Sequence, residues 1–190
     1  LRLGTTRVEL GVQSTYDSVL DTIKRGDTNN DNINATRLLR DSFLKVGYHL
    51  MLGLPGSTPE MDTAMFKELF HNTDYRPDAL KIYPCMVFKG TPLYDQWQRG
   101  DYTPLTAAQA LTILLAIKPH IPRYCRIMRV HRDIPSTLVD AGVERTNLRQ
   151  ELHAAMKKQK ITCHCIRCRE PGTTQPSWNH VSLTRFDYDA

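Results

Sequence analysis

The chain has 190 residues, 41% of them hydrophobic, which excludes a disordered chain and supports one core of ordinary size, in one domain or one and a piece. With 25 Lys and Arg against 20 Asp and Glu, the net charge is +5 and the pI is near 9.0, compatible with an anionic partner and equally with an ordinary solvated surface. Five cysteines, three of them clustered, argue against a secreted disulfide scaffold and for a reducing, cytoplasmic setting. The absence of an apolar run of about 18 residues or a signal pattern gives no indication of membrane insertion or export.

Residues 7–12 alternate as a strand through Val8, Leu10 and Val12, with Gly11, Gln13 and Ser14 marking its end. Apolar residues at 16, 19, 20 and 23 predict a helix stopped by Gly26. A second helix is predicted with Asp31 as its cap and Ile33, Ala35, Leu38, Leu39 and Phe43 on or near one face. Residues 46–52 form an apolar run broken by His49, the pattern of a covered strand, and lead into the turn Gly53, Leu54, Pro55, Gly56. Thr58 and Pro59 open a helix with Met61, Met65, Phe66, Leu69 and Phe70 on its buried side, and residues 80–88 read as the next strand. Strand, helix, strand, helix, strand implies parallel neighbours joined by crossovers, as in an α/β barrel or open sheet.

Beyond Gly90 the pattern changes. A short helix at 92–98 ends at Gly100, and Thr106 with Gln109 fits a capping box before the apolar stripe Ala107, Ala110, Leu111, Leu114 and Ile117. Residues 126–130 read as a short strand amid Arg123, Arg126, Arg129, Arg132 and His131. A last helix is predicted at 146–158, a linker at 171–177 and a strand-like alternation at 181–188. The chain begins with Leu1 and both ends read as open, the expectation for an excerpt of a longer protein.

Cys163, Cys165 and Cys168 stand at C-x-C-x-x-C spacing, close enough for three sulfurs to converge on a soft or borderline metal such as zinc. Reduced, idle thiols or a redox pair are the alternatives. A tetrahedral site needs a fourth ligand, for which His164, Cys85, Cys125, His49, His131 and His180 are candidates.

Several stretches together resemble one family: RVELGVQS at 7–14, YHLMLGLPG at 48–56, LKIYP at 80–84, RIMRV at 126–130 leading to DIPS at 133–136, NLR at 147–149 and CHCIRCRE at 163–170. In this order they are similar to Elp3, the catalytic Elongator subunit family in its archaeal or bacterial form, over about residues 1–172. Leu52, where the family usually has proline, and Cys85-Met86, in place of Thr-Leu, are departures.

The resemblance implies a partial radical-SAM, TIM-like barrel at 1–90, a helical extension with a basic strand and zinc knuckle at 91–170, and a linker and the start of an acetyltransferase-like domain at 171–190. It implies a tRNA-modifying acyltransferase that makes 5-carboxymethyluridine at the wobble position, using S-adenosylmethionine (SAM), a [4Fe-4S] cluster whose ligands lie outside this chain, and acetyl-CoA. The N-terminal barrel half and the acetyltransferase domain would belong to the same polypeptide, with a homodimer or other Elongator-like subunits as further partners. This chain alone is expected to be inactive, and no catalytic residue is assigned. Zinc would be held by Cys163, Cys165 and Cys168, and these are not the cluster ligands because they follow the barrel.

Gln13, Ser14, Gly53, Leu54, Pro55 and Gly56 would contact SAM, since ligands collect at the C-terminal rim of parallel barrels. Lys81, Arg126, Arg129 and Arg132 would meet tRNA phosphates. The plainer readings are a strand-end amide for Gln13, an exposed strand lysine for Lys81, a solvated basic edge for the arginines and a core histidine with a satisfied ring nitrogen for His49. Two other readings are a non-catalytic zinc-containing module that binds RNA or protein, and a radical-SAM enzyme of the coproporphyrinogen oxidase type.

Overall fold

The computed structural model describes residues 4–131, 134–135, 138–143, 147–185 and 187. Four strands, β1 (Arg7–Gln13), β2 (Lys45–Leu52), β3 (Ala79–Pro84) and β4 (Arg126–Arg129), form one parallel sheet in the order β1-β2-β3-β4. Helices α1 (Asp17–Thr22) and α2 (Asn29–Asp41) join β1 to β2, and α3 (Pro59–His71) joins β2 to β3. Between β3 and β4 run α4 (Pro92–Arg99) and α5 (Ala107–Ile117). After β4 come α6 (Leu148–Lys158) and α7 (Ile166–Arg169).

Strand alternation gives the sheet two unlike faces. One carries Val12, Val46, Tyr48, Leu50, Leu52, Leu80, Ile82 and Ile127, all buried under Met65, Phe66 and Leu69 of α3, Ile113, Leu114 and Ile117 of α5, and Leu148 and Leu152 of α6. The same core reaches Cys163 and Cys165. The basic strand β4 therefore shares sheet and core with β1 to β3, with Leu80 in register with Ile127. The other face of the sheet is polar.

Several local expectations differ from the structure for physical reasons. β3 stops at Pro84 rather than reaching Phe88: the last ladder bond runs from the Cys85 N–H to the Leu52 carbonyl at 2.8 Å, where the partner strand β2 ends. Val87 instead forms an antiparallel bridge with Ala141. The cap of α2 is Thr28, not Asp31. The Thr28 hydroxyl accepts the Asp31 N–H and Asp31 accepts the Thr28 N–H, a reciprocal box that satisfies two otherwise orphaned donors.

Leu38 and Phe43, expected on the inner face of α2, are exposed, Phe43 to 97%, because the helix ends at Asp41 and Phe43 turns out in a left-handed conformation (φ +58°). The inner face is instead partly polar. Thr36 packs there with its hydroxyl 2.5 Å from the Tyr48 hydroxyl. Residues 181–185 form no strand and Leu183 is fully exposed; Phe186 and Tyr188 lie outside the described residues, as does Thr146 at the expected start of the last helix.

Candidate functional site

The polar face of the sheet follows from register. Glu9 stands beside Gly47, and His49 beside Lys81, so glycine leaves room for charged neighbours to converge. His49 Nε2 lies 2.7 Å from Glu9 Oε2, and Lys81 Nζ bonds the same carboxylate oxygen. One carboxylate thus orients both a histidine and a lysine. Towards the C-terminal ends of the strands this face opens into a cavity of about 370 Å³, whose lining includes Gln13, His49, Lys81, Tyr83 and Arg129.

His49 has a satisfied ring nitrogen, as a core histidine would, but its ring faces this cavity and not the core, edge-on to Tyr83. The hydrogen bond from Lys81, with a further one from His49, holds the Glu9 carboxyl below its ordinary 4.5. A lowered acid stabilises the fold above its unfolded value and loses that contribution as the pH falls through its folded value. In urea unfolding, wild type should therefore lose stability below pH 4.5 more steeply than Glu9→Gln, while equal slopes would dissociate this cluster from folding.

The turn after β2 is held from two sides. Asp62 of α3, almost fully buried, accepts the Gly53 N–H at 2.7 Å and the Ser57 hydroxyl at 2.6 Å. Burial raises its carboxyl above the usual range. The Tyr102 hydroxyl donates to the Gly53 carbonyl at 2.7 Å, so both backbone groups of Gly53 are satisfied by side chains. Residues 53–56 line a second cavity of about 440 Å³ together with Tyr102, Pro104 and Gln109, distinct from the one that Gln13 lines. Tyr102→Phe should cost about 1 kcal/mol, the usual net worth of one such bond, as a lowered urea midpoint with the slope unchanged.

Ser14 is buried, and its Oγ accepts the Tyr16 N–H at 3.2 Å, so it shapes the turn from β1 into α1. Gln13, at φ +61°, lines the open cavity.

Cys163, Cys165 and Cys168 do come together: their sulfurs all lie within 4.8 Å of one another. Such a set of soft donors can hold a metal ion. Hydrogen bonds from its two neighbours push the Cys165 thiol down, and the same sharing pushes Cys163 up. Among the described residues no fourth His, Cys, Asp or Glu joins the group. Cys125 is buried close by, where its carbonyl accepts the Ile166 N–H at 3.0 Å, and its thiol is pushed well up by burial.

That bond also locates the cluster. Cys125 immediately precedes β4, so the cysteines sit at the N-terminal edge of the sheet, whereas Gln13, residues 53–56 and the open cavity lie at the C-terminal ends of the strands. The cysteines therefore cannot serve chemistry at that rim.

The basic residues divide. Lys81 and Arg129 line the cavity, while Arg126 pairs with Glu170, which also bonds Arg167 at 3.0 Å. Arg132 lies outside the described residues. Glu9, Asp62, Tyr102 and Lys118 were not singled out from sequence. A charge at 9, 49 and 81 on successive strands, and a lysine closing an otherwise apolar helix at 118, were the available signals.

Two family descriptions match the chain: the Radical SAM superfamily over residues 1–69 and the Radical_SAM C-terminal domain over residues 77–158. The whole chain is 48% identical to the tRNA uridine(34) acetyltransferase of Methanocaldococcus jannaschii and covers 36% of that protein. It is 40% identical to Elongator complex protein 3 of Saccharomyces cerevisiae, covering 35% of it. The solved archaeal Elp3 of Methanocaldococcus infernus, with residues 1–46 deleted, superposes on the entire chain with a TM-score of 0.94 at 47% identity, and 46% of that chain is covered. The chain thus spans little more than a third of the length of these curated relatives. A parallel β/α sheet with a polar rim cavity, a cysteine cluster at the far edge and this continuous likeness together place the chain in the Elp3 family of radical-SAM proteins, over its radical-SAM domain and C-terminal radical-SAM region.

Proposed function

We propose that the chain forms part of a tRNA-modifying acyltransferase that makes 5-carboxymethyluridine at the wobble uridine, using SAM and acetyl-CoA. The observation that carries this reading is the rim cavity: Gln13, His49, Lys81, Tyr83 and Arg129 converge there on a chain similar throughout to tRNA uridine(34) acetyltransferases. The division follows that reading, with barrel at 1–90, extension at 91–170 and the approach to an acetyltransferase-like domain at 171–190. The remaining barrel half and that domain belong to the same polypeptide, a homodimer or Elongator-like subunits complete the assembly, and the setting is cytoplasmic. On its own this chain is inactive.

In this reading Gln13 and Ser14 hydrogen-bond SAM, and residues 53–56, which line a separate cavity at the same rim, offer their backbone to another part of it. Lys81 and Arg129 face the cavity as anion partners, with Arg126 and Arg132 towards tRNA phosphates. Arg126 must share its guanidinium with Glu170 to do so. Cys163, Cys165 and Cys168 hold zinc in a structural role. The [4Fe-4S] cluster, which supplies the electron for SAM cleavage, takes its ligands from elsewhere, because the cysteine group found among the described residues lies at the wrong edge of the sheet.

Disrupting the gene in its source organism and measuring tRNA nucleosides by mass spectrometry tests this. The expected result is loss of C5-carboxymethyl-type uridine at position 34; an unchanged nucleoside profile would overturn the enzymatic reading. A zinc-containing RNA- or protein-binding module is the second reading, favoured by Arg123, Arg126, Arg167 and Arg169, which gather around the cysteine segment. Retained modification together with salt-sensitive RNA binding by the chain would support it.

A further inference from the structure

The cysteine cluster has a neighbour that sequence periodicity assigns to nothing. Lys118 follows the last residue of α5, directly after the apolar stretch from Ile113 to Ile117, and its side chain is fully buried. Its Nζ lies 3.1 Å from Cys168 Sγ, and among the described residues no carboxylate pairs with it. An ammonium withdrawn from water in this way is costly unless an anion faces it. Neutral thiols are not that anion. The carbonyl end of α5 contributes a partial negative charge, but a helix terminus carries only about half an elementary charge.

Charge counting identifies the partner. Three thiolates around a divalent ion leave one net negative charge, which a single ammonium balances; four thiolates would leave two. We propose that Lys118 is the outer-sphere cation of a three-thiolate metal centre, donating N–H to Cys168 Sγ and neutralising the loaded site from inside the core. The inference rests on the reading of Cys163, Cys165 and Cys168 as metal ligands. It makes Lys118 a positioning residue: it orients the Cys168 sulfur and makes the anionic centre compatible with burial.

The consequence is larger in the loaded state. With metal absent the sulfurs are free to hold protons, so replacing the lysine by an apolar chain of similar length leaves no fixed charge unmatched. With metal present the thiolates are held by the ion, and the same replacement leaves the centre's negative charge unmatched. The test compares wild type with Lys118→Met, using zinc alone as the probe, in a chelator competition for affinity and in urea unfolding of the metal-free and zinc-loaded chains. Outer-shell partners of metal ligands are worth roughly 10- to 100-fold in affinity, so zinc should bind the variant weaker by that factor. In urea, the replacement should lower the midpoint of the zinc-loaded chain more than that of the metal-free chain.

Equal zinc affinity in the two chains overturns the inference while leaving the metal site standing. A loss of stability that is equal in the metal-free and zinc-loaded chains also overturns it, since the lysine would then be an ordinary packing element. Failure of wild type itself to bind zinc removes the metal reading and this inference with it. Should Lys118→Met not fold, Lys118→Gln, which keeps a donor for the sulfur without the charge, is judged by the same two comparisons.

Discussion

Replacing Cys165 by alanine is expected to weaken zinc binding by more than about 100-fold and to lower the melting temperature of the zinc-loaded chain by roughly 10 °C. Cys165 is fully buried and shares its sulfur environment with both Cys163 and Cys168, so no neighbour can take over its place without repacking. It also belongs to the main hydrophobic core, and its segment is tied to the start of β4 through the Ile166 N–H and the Cys125 carbonyl. Losing the metal therefore loosens the edge of the sheet as well as the C-terminal segment.

About 4 kcal/mol of lost stability corresponds to that shift at this chain length. Cys125→Ala is the comparison. It removes an equally buried sulfur that stands outside the cluster, and should cost about 1 kcal/mol with zinc content unchanged. Zinc measured by plasma mass spectrometry on the purified variants decides the matter, and full zinc occupancy in Cys165→Ala would remove the cluster from the account of this fold.

The second large effect is expected at the turn that closes β2. Gly53→Ala should destabilise the chain by about 3 kcal/mol. Two penalties add. At φ +68° a side chain is strained, and a β-carbon there would lie 2.5 Å from Leu105 Cγ and 2.7 Å from its Cδ1. Leu105 is itself packed into the core and cannot simply swing aside. Gly90, at φ +83° with nothing within 4 Å of the same position, separates the two terms: Gly90→Ala should cost only about 1 kcal/mol.

Leu105→Ala in the Gly53→Ala background should recover part of the loss, because residues in contact do not act additively. Denaturant midpoints for the four chains measure this. A Gly53→Ala cost no larger than that of Gly90→Ala would mean the loop from Tyr102 to Leu105 does not press on the turn. Asp62, Tyr102 and Leu105 fix the conformation of the turn, which in the proposed reading spares the ordering entropy on ligand binding.

The polar sheet face and the cysteine cluster lie at different places on the sheet. Glu9 links His49 and Lys81 within the polar face, while the cysteine cluster and Lys118 lie near the N-terminal edge of β4. A parallel sheet makes this separation automatic: loops after the strands gather at one edge, and segments that return under the sheet gather at the other.

Much of this protein was determined by sequence alone. Alternation and apolar runs marked β1, β2 and β4; the Thr58-Pro59 and Thr106/Gln109 signals marked the starts of α3 and α5; and cysteine spacing brought three sulfurs together, because all of these are local patterns whose geometry is set within a few residues. The motifs in order were enough to point to the family.

Tertiary structure decided the rest. No local pattern says that Glu9, 40 positions from His49 and 72 from Lys81, bridges both, since that depends on strand register. Nor does any say that Phe43 turns outward, that the Ser14 hydroxyl accepts the Tyr16 N–H, or that residues 53–56 and Gln13 face different cavities. In sequence Lys118 is only a lysine that follows an apolar helical stripe. Only the packing of α5 against the cysteine segment, 50 residues away, turns it into a buried charge with a sulfur for a partner.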